Sequence, residues 1–377
     1  MRSHVIVAAL IGLTACGEEH VPAPEGGEIP DVRVSGRQIA VRFHHDGDWY
    51  ISPPLGTPAG ATVAGLMLEI VDEPTGENSF SGVSLQARGR SSERLGAWID
   101  FDVVWHEARL AVARADLGLT AVAVELRVAA ADVERIVELT YSATIPPDHS
   151  MLEPVRVSSD AALSSELEAW RVRPRSAWGA RAAVCSTRDS PKYRMAVHHT
   201  AGGTGDGDFE AKLRQIQAFH LDARGWCDVG YHFLVTVDGV IWEGRQLEHL
   251  GAHIRNHNIG NIGMAFVGCF DPGVDCQTAL PNEPPGIMIE AGGELLGHLA
   301  QHFAMAISDT RVKGHRQHSG TNTICPGDNV IDRLDDIRGI AAMFTRPTTP
   351  PVCSCNVSAD CDVGCPAVCD SDCWCTC

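Results

Sequence analysis

The chain has 377 residues, enough for two or three domains of roughly 100–200 residues each and for a full hydrophobic core. Lys and Arg number 30 and Asp and Glu 48, so the formal charge is −18, a field that repels phosphates and argues against nucleic acid as a partner. Hydrophobic residues are 44% and charged residues 21%, which excludes wholesale disorder; the conspicuous residues are 14 Cys and 17 His.

At the N-terminus, Arg2 precedes the apolar run Val5 to Ala15. That run is too short to span a bilayer, which takes about 20 residues, and fits the apolar region of a secretory signal peptide. It closes with Leu13-Thr14-Ala15-Cys16, which resembles the lipobox of bacterial lipoproteins. The resemblance implies a signal peptide over residues 1–16, with Cys16 lipidated as the mature N-terminus. The protein would then be exported to the cell envelope and held to a membrane by that lipid. The plainer alternative is an ordinary cleaved signal with an incidental cysteine. Residues 17–30 are polar and rich in Pro and Gly, a tether. No later segment is long and apolar enough for a transmembrane helix. Export exposes the remaining cysteines to oxidising conditions.

Residues 31–147 have period two. Ile99, Phe101, Val103 and Trp105 alternate with Asp100, Asp102 and Val104, and Val122, Val124, Leu126 and Val128 alternate with Ala123, Glu125 and Arg127. Such alternation marks half-buried strands and predicts an antiparallel β-sandwich. The region has no Cys and no dense cluster of reactive side chains, and reads as a spacer or adhesion module of unassigned role.

Residues 148–169 read as a linker, and residues 170–346 alternate strand-like with helix-like pieces, a mixed α/β pattern. Arg194 to His199 predicts a strand and Phe209 to Arg224 a helix. Gly230 to Glu243 predicts a hairpin turning at Asp238-Gly239, and Ile262 to Gly268 a further strand. Ile287 to Ile307 and Asn329 to Phe344 predict helices. Residues 353–377 hold eight Cys and four Asp with no Lys or Arg. Four disulfides are favoured there over a thiolate metal cluster, with connectivity and role open.

Eleven of the 17 His fall between His198 and His318. Val197-His198-His199-Thr200-Ala201-Gly202 ends an apolar strand with a His, Gly314-His315-Arg316-Gln317 follows a second short strand, and Ile324-Cys325-Pro326-Gly327-Asp328 lies beyond it. Between and before them come Arg175-Ser176-Ala177-Trp178-Gly179-Ala180, Arg224-Gly225-Trp226-Cys227-Asp228-Val229-Gly230-Tyr231-His232-Phe233, Asp238-Gly239-Val240-Ile241-Trp242-Glu243-Gly244-Arg245, Leu250-Gly251-Ala252-His253 and Ile262-Gly263-Met264-Ala265-Phe266. Together and in this order, these strings resemble the zinc-dependent N-acetylmuramoyl-L-alanine amidases, in particular their peptidoglycan recognition protein branch.

The resemblance covers about Trp170 to Phe344 and implies an amidase-type mixed-sheet domain. It also implies Zn2+ held by His198, His315 and Cys325, with a fourth position for water. Tyr231 matches the residue that assists the water and the developing oxyanion, and Thr323 a second polar group over the metal. The reaction implied is hydrolysis of the amide between N-acetylmuramic acid and L-alanine, and the partner is peptidoglycan. His253, Asn256 and His257 lie where the family lines its peptide groove. Ala265 stands where another branch carries a catalytic Glu, which favours the Tyr-assisted arrangement, and Cys325 stands where inactive members commonly carry Ser. The alternative is a binding protein of the same fold that recognises the wall without cutting it.

His315 and Cys325 are ten residues apart, more than is usual in the family, with His318 between them. A longer loop that restores Cys325 is favoured over replacement of a ligand by His318. Cys269 and Cys276 are close enough to close a loop as a disulfide, and Cys185 with Cys227 is a second candidate pair. His199, His220 and His232 read as buried, packed residues rather than ligands.

Overall fold

The computed structural model of the protein describes residues 32–71, 82–144, 161–205, 207–272 and 282–345, with residues 368–369 and 375–376. Cys16, the tether, Cys276 and most of the Cys-rich tail lie outside the described residues. Within the tail, Val368–Cys369 and Cys375–Thr376 pair as an antiparallel ribbon.

The first region is antiparallel throughout, as its alternation predicts. Its strands are β1 (Val32–Val34), β2 (His44–Asp46), β3 (Trp49–Ile51), β4 (Leu55–Ile70), β5 (Leu85–Arg90), β6 (Ile99–Asp100), β7 (Asp102–Glu107), β8 (Leu110–Ala129) and β9 (Ile136–Thr144), with helix α1 (Gly36–Arg42) after β1. They are hydrogen-bonded into one nine-stranded sheet instead of two separate stacked sheets. The reason is the length of β4 and β8, 16 and 20 residues. β8 carries β4 and then β3 along one edge, and β7 and then β5 along the other. Between Gly56↔Ala123 and Ala61↔Ala121 the β4–β8 register shifts, a bulge that bends the ladder without ending it. At that bend Val122 is 52% exposed, whereas Val124, Leu126 and Val128, of the same parity, are buried in the core with Ile39 and Tyr141.

The second region holds β10 (Arg194–His199), β11 (Phe233–Val235), β12 (Ile241–Glu243), β13 (Asn261–Phe266) and β14 (Val312–Gly314), in the order β12-β11-β13-β10-β14. β10 is parallel to both β13 and β14, and only β12 runs antiparallel to its neighbour. Its helices are α2 (Ala161–Ala169), α3 (Phe209–Ala218), α4 (Gly286–His302), α5 (Asp328–Ile331) and α6 (Leu334–Phe344); α3 runs on into a π turn, Phe219–Ala223. Alternation sorts the two faces. Phe233 and Val235 enter the core with Leu296 of α4 and Ile337 of α6, while Leu234 between them packs with Leu213 and Ile216 of α3. The helix expected over Asn329 to Phe344 is two helices, parted at Asp332 and Arg333.

The two regions are docked. Met67, Val112 and Trp105 pack against Ala218, Phe219 and Ala223 of α3 and its π turn. The Gln215 amide donates to the carbonyls of Leu68 and Ala111, both at 3.1 Å, and Arg214 pairs with the Glu107 carboxylate. The N–H of Gly203 donates to Glu138 Oε1 at 3.2 Å. β4 passes so near the π turn that a Cβ on Gly65 would stand 2.6 Å from Ala223 Cβ.

Candidate metal centre

Met195, Ala196 and Val197 are fully buried in the central part of the second sheet, so β10 is fixed along its length and delivers His198 and His199 to its carboxyl edge. β14 runs parallel beside it with Gly314 opposite Val197, which brings His315 to the same edge. Carboxyl ends of parallel strands are where open α/β sheets leave a crevice for ligands. Cys325 returns to that edge through a loop closed by backbone bonds. The Arg316 N–H donates to the Cys325 carbonyl at 2.9 Å, and the Cys325 N–H to Thr323 Oγ1 at 3.1 Å. The His199 N–H points at Cys325 Sγ from 3.4 Å.

One ligand atom each from His198, His315 and Cys325 then lies within 4.8 Å of the others, with all three residues buried. His198 Nδ1 is 3.5 Å from Cys325 Sγ. Nitrogen and sulfur bound at about 2.1 and about 2.3 Å to one tetrahedral ion stand about 3.6 Å apart, so this spacing fits a shared zinc. The chemistry of the donor set fits too: two imidazoles and a thiol are zinc ligands, and three protein donors leave a fourth position open. Burial, then the neighbouring imidazoles of His315 and His253, hold His198 far below the usual histidine range, in the neutral form that ligates metal.

The Tyr231 ring lies beside the cluster, its centroid 5.3 Å from that of His198. Its approach is set by Gly230, where a Cβ would stand 2.4 Å from the Ala252 carbonyl oxygen. The half-buried Thr323 hydroxyl caps the backbone of Cys325. His253 is behind His198, 6% exposed, with Nδ1 at 3.0 Å from His198 Nε2 and Nε2 at 3.1 Å from the Asn261 carbonyl. Asn256 is exposed in a left-handed turn (φ 63°) on the loop that follows. His257 Nε2 lies 2.9 Å from the Ser319 carbonyl, and its ring stands 5.3 Å from that of His318. His318 is thus placed with His257 at the rim, and burial followed by His257 and Arg194 pushes it down to about 4. Nothing in the local pattern around His253 signals its place behind His198, since that depends on β13 pairing with β10.

His199 Nδ1 accepts from the Phe270 N–H, His220 Nδ1 from the Gly230 N–H and His232 Nδ1 from the Gly263 N–H, so all three are packed into the frame. Ala265 is buried directly across from His198 in the β10–β13 ladder. Cys185 and Cys227 form a disulfide, tying the segment before β10 to the loop that leads to Tyr231. Cys269 is also disulfide-bonded. Cys325 is buried and is not disulfide-bonded.

A family model described as N-acetylmuramoyl-L-alanine amidase matches residues 189–328. Peptidoglycan-recognition protein SC2 of Drosophila simulans is 35% identical over 163 residues, which are 42% of this chain and 82% of that protein. An N-acetylmuramoyl-L-alanine amidase of Sus scrofa is 34% identical over 173 residues, 43% of this chain but 26% of that longer protein. A solved structure, human PGRP-IBETAC in complex with glycosamyl muramyl pentapeptide, is 28% identical over 43% of this chain and 94% of its own, with a TM-score of 0.37. Kinship rests on the sequence identities. The chain belongs to the family of peptidoglycan recognition proteins and N-acetylmuramoyl-L-alanine amidases.

Proposed function

We propose that this protein hydrolyses the amide between N-acetylmuramic acid and L-alanine in peptidoglycan, with Zn2+ held by His198, His315 and Cys325. The observation that carries the reading is the meeting of two imidazoles and one thiol at zinc-ligand spacing on the carboxyl edge of the sheet. A zinc ion held there supplies an acidified water and a polarised substrate carbonyl.

The protein's own groups do the rest. Tyr231, beside His198, offers its hydroxyl to the carbonyl oxygen as negative charge gathers on it. Thr323 accepts the Cys325 N–H and keeps its own proton to donate to a substrate oxygen. With Ala265 across from His198, that position supplies no carboxylate base, which favours the Tyr-assisted arrangement. Asn256 and His257, on the adjoining loop, are proposed to meet the stem peptide. For location we propose an exported, lipid-anchored envelope protein, on the resemblance of the residues ending at Cys16 to a lipobox; such a compartment suits the Cys185–Cys227 disulfide.

The test incubates the full chain, purified from an oxidising compartment, with peptidoglycan, with and without chelator, beside Cys325→Ser. Mass spectrometry reads released stem peptides with a free L-alanine amino group. Release that needs both metal and Cys325 supports the proposal. Sedimentation with the wall and no release would make the chain a recognition protein without cleavage.

A further inference from the structure

We infer that His253 is a positioning residue that sets which nitrogen of His198 faces the metal; the metal itself belongs to the function proposed above. The argument runs through proton positions. The Asn261 carbonyl can only accept, so at 3.1 Å the proton between them belongs to His253 Nε2. A neutral imidazole carries one proton, so His253 Nδ1 is bare and acts as an acceptor. The group facing it at 3.0 Å, His198 Nε2, must then be the donor. With its proton on Nε2, His198 presents a bare Nδ1 lone pair on the side where Cys325 Sγ lies 3.5 Å away. One carbonyl thereby fixes two imidazole tautomers in series, and the second is the one a zinc ligand needs.

The ring of His253 is also held in place. A Cβ at Gly263 would stand 2.6 Å from its Cδ2, and a Cβ at Gly251 2.5 Å from the same atom, so two glycines close against the imidazole edge. His253 is therefore withdrawn from the groove, and its service to the site passes through His198.

The experiment compares the full-length wild type with His253→Leu and His253→Gln. Gln can accept from His198 through Oε1 and donate to Asn261 through Nε2; Leu can do neither. Two readouts are used, neither of them activity: zinc affinity by competition with a chromogenic chelator, and the 15N shifts of His198 in metal-free protein, which report the tautomer. His253→Leu is expected to weaken zinc by about 10–100-fold and to turn His198 from a single Nε2–H tautomer into a mixture, with Gln restoring most of both. The inference is overturned if His253→Leu keeps wild-type affinity and tautomer, or if a folded Gln variant fails as Leu does. A wild type that binds no zinc would refute the proposed function, while the His198 tautomer in the metal-free variants would still decide the role of His253.

Discussion

Replacing Asp189 by Ala should strand a buried charge next to the site. Lys192 Nζ lies 2.7 Å from Asp189 Oδ2, and the two side chains are 2% and 5% exposed. Both carboxylate oxygens also accept the Gly260 N–H, at 2.9 and 3.0 Å. Burial pulls Lys192 below the usual lysine range, and Asp189 opposes that pull. Without the carboxylate, the ammonium keeps the His249 carbonyl at 3.3 Å, and the Gly260 N–H loses its acceptor. Breaking a buried pair from one side costs roughly 3–5 kcal/mol, because the surviving charge stays desolvated. At about 4 kcal/mol, a unit of this size should lose roughly 8–16 °C of melting temperature. The assay is thermal unfolding of the full chain, beside a Lys192→Met/Asp189→Leu double variant that removes both charges and should recover at least half the loss. A shift under about 3 °C for Asp189→Ala, or a double variant as weak as the single, would refute the reasoning. Gly260 precedes Asn261, so the same variant should also loosen the carbonyl that holds His253.

Stability should fall in mild acid. Burial first, then the cations Arg224 near His220 and Lys192 near His232, hold both histidines well below 6.5 when folded. The unfolded chain takes up those protons near 6.5, so their contribution is complete above that value. Each then removes up to about 1.4 kcal/mol per pH unit as pH drops toward the folded values. Denaturant melts at pH 7, 6 and 5 that show no decline would contradict this. Replacing both Cys185 and Cys227 by Ala frees a loop spanning 42 residues of sequence, at a cost of about 4 kcal/mol on the chain-entropy estimate; an unchanged melting temperature would count against it. Gly65→Val puts a side chain where only 2.6 Å separates the site of Cβ from Ala223 Cβ, and should cost roughly 1–3 kcal/mol. Limited proteolysis should cut the chain between the docked regions faster in that variant, and an unaltered rate would argue against tight packing there.

The cluster of His198, His315 and Cys325 was legible because each lies in a short local string whose flanks also specify backbone. Met195 to Val197 is the apolar run of a strand that carries on through His198 and His199, and Gly314 ends a second strand just before His315. The interval from His315 to Cys325 read as a longer loop, and in the structure bonds to the Arg316 N–H and the Thr323 hydroxyl seat the backbone of the Cys. The place of His253 was not legible: its neighbours come from Asn261 and His198, joined through the pairing of β13 with β10. Nor was the single sheet of the first region, since alternation shows strands but not a register shift that keeps a ladder running through a bend. Charged residues mislead in another way. Glu69 and Glu138 are polar letters in strand patterns and would be assigned to solvent, yet they stand opposite each other in the β4–β9 ladder, and both are buried.

The docking of the first region on α3 means that the stretch recognisable by kinship and the stretch that folds are of different size. Residues 189–328 carry the family match, but α3 leans on β4 and β8 through Phe219, Gln215 and Arg214. A gene fragment trimmed to the family boundary would uncover Phe219 and Ala223, and would leave the Gln215 amide without its two carbonyls. For such a chain, a fragment made for expression has to keep β4 and β8, and a variant in the β region can disturb α3 although it touches none of His198, His315 and Cys325.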